Sequence, residues 1–76
     1  MTLHRHITEV AIETCITEYA AAKVEYKRAT DPEKKEYFFG KEIGIIEAFA
    51  ALTRMTWIDA EFLLRSRATA AGKLDQ

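Results

Sequence analysis

Apolar residues recur along this chain at the three- and four-residue intervals of a helix, and polar punctuation divides them into three segments. The first begins near Thr2 or Leu3 and ends near Ala29. Leu3, Ile7, Val10, Ile12, Ile16 and Tyr19 spread over an arc well beyond half of its circumference, and His6, Glu9, Glu13, Thr17 and Lys27 form its polar strip. Glu18 and Glu25 interrupt the apolar arc, so the second half of this helix is expected to be less buried than the first. The second segment opens at Thr30-Asp31-Pro32-Glu33. Two caps fit here: Thr30 with Glu33 as a capping box, or Asp31 as the cap with Pro32 in the first helical position. This helix runs to about Arg54. The third starts at Thr56-Trp57-Ile58-Asp59, a second capping signal, and Gly72 supplies a left-handed stop.

The second helix sets the architecture. Phe38, Phe39, Ile43, Ile46, Phe49 and Leu52 cover two adjoining faces, and Ile45 and Ala50 join them. A third face carries Gly40, Gly44, Ala48 and Ala51, spaced four, four and three apart. A helix that is apolar nearly all round is central in its fold or shared between chains. Glycine inside a helix costs about 1 kcal/mol relative to alanine, so two of them four apart call for a packing reason. Close approach of another helix is such a reason, by analogy with small-x-x-x-small faces in membranes. That helix can belong to the same chain or to a second one. The expected fold is all-α: a long antiparallel hairpin with a shorter third helix packed across one end, associating into a helical-bundle dimer. Residues 1–72 form the one domain, and 73–76 are expected to fray. Gly40, Gly44, Ala48, Ala51, Phe38, Ile45 and Phe49 are the expected helix-packing or dimer positions. Tyr19, Tyr37 and Trp57 are the candidate partner contacts, because aromatic residues with a polar handle are enriched at interfaces.

Composition adds limits. A chain of 76 residues holds one domain, and at this size roughly 60–65% of the unfolded surface is buried on folding, a marginal core. One cysteine excludes an intramolecular disulfide. Eleven basic residues against twelve acidic give a net charge of −1, without the field of a dedicated nucleic-acid binder. No apolar run approaches a membrane span, and the first residues lack the order of a secretory signal, so the cytoplasm is the expected location.

Candidate chemistry is thin. His6, Glu9 and Glu13 stand at i, i+3 and i+7, a spacing that can present an imidazole and two carboxylates to one metal. The other helices offer no matching ligands, and a solvated strip is the simpler reading. Glu33, Glu36, Glu42, Glu47 and Asp59 are similar in kind to the acidic residues of all-α nucleotide pyrophosphatases, with paired Glu-x-x-Glu and Glu-x-x-Asp motifs; Glu33 and Glu36 have the first spacing, but Glu33 is better explained as a cap and no second pair follows. Cys15 lies among apolar neighbours with no histidine placed to activate it. The second and third helices have the rough offsets of a helix-turn-helix, with Ala50 and Ala60 as small residues. Yet Arg54 stands where glycine is common, and Asp59 and Glu61 would repel phosphate at the head of a recognition helix.

The stretch Glu36-Tyr37-Phe38-Phe39-Gly40-Lys41-Glu42-Ile43-Gly44-Ile45-Ile46-Glu47-Ala48, followed by Met55-Thr56-Trp57-Ile58-Asp59-Ala60-Glu61, resembles short all-helical proteins encoded by phages and prophages. The resemblance spans about residues 36–64. It implies a small accessory or regulatory protein that binds another macromolecule, with no catalytic residue. The expected function is therefore a non-enzymatic interaction module, homodimeric, with no cofactor and no metal, binding and modulating a protein partner. The alternatives are a helix-turn-helix-like DNA-binding regulator acting as a dimer and a metal- or nucleotide-dependent all-α enzyme.

Overall fold

A computed structural model describes the backbone of residues 2–74 and the side chains from Thr8 to Leu74. Three helices follow one another: α1 (Thr2–Arg28), α2 (Pro32–Thr53) and α3 (Trp57–Ala70). None is long and apolar enough to cross a membrane among the described residues.

The capping residues set the boundaries. Asp31 is the N-cap of α2: its backbone is extended and its carboxylate accepts from the Glu33 amide at 3.1 Å. Pro32 sits at the first position, where its missing N–H costs nothing. The three-residue turn over 29–31 folds α2 back on α1. Lys35 fastens it: its ammonium donates to the Tyr26 carbonyl at 3.0 Å and lies 4.5 Å from that ring's centre. A cation on a last-turn carbonyl also offsets the negative end of the helix. At the head of α3, the Thr56 hydroxyl accepts from the Asp59 amide at 3.2 Å.

The C-terminal ends of α2 and α3 close in the same way. Gly72 has φ 74°, and the Lys73 amide reaches back to the Ala68 carbonyl at 2.9 Å. At the end of α2 the left-handed residue is Arg54, φ 58° and ψ 40°, with the Met55 amide on the Ala50 carbonyl at 3.0 Å. This is the six-to-one bond of a Schellman stop. A side chain in that conformation costs about 1–2 kcal/mol. Arg54→Gly is thus expected to stabilise the fold by about 1 kcal/mol, after the added freedom of the unfolded chain is counted. Urea denaturation measures this, and a loss of stability would mean that the Arg54 side chain makes a compensating contact.

The core is one cluster drawn from all three helices: Ile16, Tyr19 and Ala20 from α1, Ile46 and Phe49 from α2, Ala60, Leu64 and Ala68 from α3. The α3 residues fall at i, i+4 and i+8, a single line, and all three are fully buried. Two alanines in that line let α3 lie close in the groove of the hairpin. It does not cross one end, as expected, but runs along the hairpin until Thr69 and Ala70 stand beside Lys23 and Lys27 of α1. The molecule is accordingly elongated, 46 × 23 × 20 Å.

Two further expectations are corrected. Among the described side chains of α1, the buried ones are Ile16, Tyr19, Ala20 and Ala22, all in its second half, where Ile16, Tyr19 and Ala20 join the three-helix cluster, whereas Val10 is half exposed. Leu74, placed in the frayed tail, packs against the core cluster, since the Gly72 stop turns the chain back. Residues 75–76 lie outside the described residues.

Candidate interaction surface

Position in the helical turn decides which side of α2 meets the core. Glu42, Ile46 and Phe49 are its buried line. At 100° per residue, the positions opposite that line are Tyr37, Gly40, Gly44, Ala48 and Ala51. All five are exposed. A methyl group built on Gly40 or Gly44 would meet nothing within 4 Å. The close approach that these glycines permit is therefore not made by α1 or α3. The resulting surface has small residues along its middle and the exposed Glu47 beside them, and is bordered by Tyr37 (64% exposed) at one end and Leu52 at the other.

A second apolar patch lies beyond the corner. Ile58 and Phe62, one turn apart on α3, are 74% and 72% exposed, and Met55 and Trp57 are partly so. Ile58 and Phe62 point outward because the core line of α3 is Ala60-Leu64-Ala68. A hydrophobicity scan weights the two large residues and overlooks the alanines. Reading the small residues as the contact line would have found this patch.

The other expected contact positions scatter. Phe49 is 1% exposed and packs the core. Ile45 is half-buried against it. Phe38 is half-buried, its ring edge-on to Tyr37 with centroids 5.0 Å apart. Trp57 is 41% exposed. Tyr19 is 0% exposed, so it belongs to the core and presents no surface to a partner.

Polar chemistry gathers where the three helices meet. Lys23 of α1 and Glu42 of α2 form an ion pair at 3.0 Å, with Glu42 almost wholly buried. The Lys23 ammonium also lies 5.4 Å from the centre of the Tyr19 ring. Burial pulls the lysine's pKa down, but the hydrogen bond to Glu42 and the charges around it outweigh this and hold it above the ordinary value. A raised lysine contributes its stability below the ordinary lysine pKa and loses it as pH climbs through the folded value. The contribution is therefore constant across neutral pH. The Tyr19 hydroxyl is buried and makes no hydrogen bond of good geometry. Arg65 of α3 is nevertheless near enough that this hydroxyl is the main cause of its raised pKa.

Removing Lys23 alone leaves the Glu42 carboxylate unpaired. Lys23→Met is expected to cost about 1–3 kcal/mol, less than a fully buried pair because the lysine is a quarter exposed. Adding Glu42→Met should restore most of the loss. A double variant as unstable as the single one would mean that the pair contributes more than mutual neutralisation.

Elsewhere the charged residues diverge. Glu33, Glu36, Glu47 and Asp59 are exposed, whereas Glu42 turns inward. Among the described residues, no three of His, Cys, Asp and Glu are grouped to hold a metal. Glu9 and Glu13 border a shallow depression formed by α1 alone, and the side chain of His6 lies outside the described residues. Cys15 is half-buried, and burial, then the charge of Glu18, push its thiol pKa up, away from the reactive thiolate. On α3, Arg65 is held 3.5 Å from Glu61, and Arg67, two positions on, faces another way. Arg65, Ser66 and Thr69 also line a groove with Lys23 and Lys27 of α1. No protein-family model, curated protein or solved structure matches the chain.

Proposed function

We propose that this protein is a non-enzymatic helical interaction module of the cytoplasm, homodimeric through the outer face of α2, which binds and modulates a protein partner. The observation that carries this reading is the open space over Gly40 and Gly44. Each glycine sacrifices about 1 kcal/mol of helix stability relative to alanine. Among the described residues, nothing comes within 4 Å of where those side chains would be. A second helix seated on the Gly40-Gly44-Ala48-Ala51 line gives them a purpose, because backbones can then approach closely. Tyr37 and Leu52 at the two ends of that line supply apolar area, and Ile58 and Phe62 leave a separate patch for a further partner. The accessory role implied by the likeness to short phage-encoded helical proteins fits the same picture.

Sedimentation equilibrium of the purified chain at micromolar concentration tests the dimer. The expected mass is roughly twice the 8.7 kDa of one chain. A single species of the chain mass at all concentrations would overturn the homodimer. A protein partner would then have to be sought on the α3 patch, with Phe62→Ser as the control that abolishes capture.

A further inference from the structure

We draw no further inference here: the strongest candidate, the groove between α1 and the C-terminal half of α3 where Lys23, Lys27 and Arg65 stand beside Ser66 and Thr69, carries nothing, because two of its three cations are already paired with Glu42 and Glu61 and the unpartnered Tyr19 hydroxyl is sealed beneath the groove and not in its wall.

Discussion

Phe49→Ala is expected to lower the melting temperature by about 15–30 °C and to leave much of the chain unfolded at physiological temperature. Phe49 is 1% exposed and belongs to the one cluster that all three helices share. Truncating a buried phenylalanine costs about 3–5 kcal/mol, the lost transfer energy plus the cavity left behind. Five of the eight cluster residues are Ile16, Tyr19, Ile46, Phe49 and Leu64, and the other three are alanines that cannot reach into the vacancy. A chain of this length has a total stability of about 4–11 kcal/mol, so a single side chain carries about a quarter of it or more. Circular dichroism on heating, at matched protein concentration, measures the change. A shift of only a few degrees would mean that Phe49 does not hold the helices together, and the packing described above would be wrong.

The second large effect separates association from folding. Gly44→Leu is expected to weaken self-association at least about thirtyfold, the effect of losing a 2 kcal/mol hot spot. It should do so with the helical fold intact. Within one chain the new side chain enters open space, and leucine is a better helix former than glycine by roughly 0.8 kcal/mol. Measured at a concentration where the chain is monomeric, the variant should be as stable as the parent or slightly more so. Gly40→Ala should show the same sign with a smaller effect. Unchanged association in Gly44→Leu would remove α2 from the interface. Loss of helicity in the dilute variant would instead show that Gly44 is packed within the chain.

Much of this fold is written in its punctuation. Pro32 after an aspartate, Thr56 three residues before Asp59, and Gly72 near the end mark boundaries by local chemistry, which a single sequence displays directly. The choice between Thr30 and Asp31 as cap depended on backbone angles that no residue type announces. Arg54 hid its left-handed conformation because the residue expected there is glycine. The path of α3 was hidden for another reason. Its core line contains two alanines, whereas the bulkier Ile58 and Phe62 face outward, so apolar bulk along α3 does not mark its buried side. Tyr19 was read by its chemical type as an interface residue, when its neighbours at Ile16 and Ala20 and the cover of α3 make it core. Glu42 was legible in principle: it falls four and seven positions before Ile46 and Phe49, on the buried line. What a single helix could not reveal is its partner, since Lys23 lies on a different one.

Because the cluster draws on α1, α2 and α3 alike, no two helices can keep it when the third leaves. Amide exchange should register this as a common clock. The protons at Tyr19, Ile46, Phe49 and Leu64 are expected to exchange at rates set by one opening free energy, that of the whole molecule. Mostly local contacts within and between neighbouring helices place such a chain among fast folders, so that opening closes again within milliseconds or less.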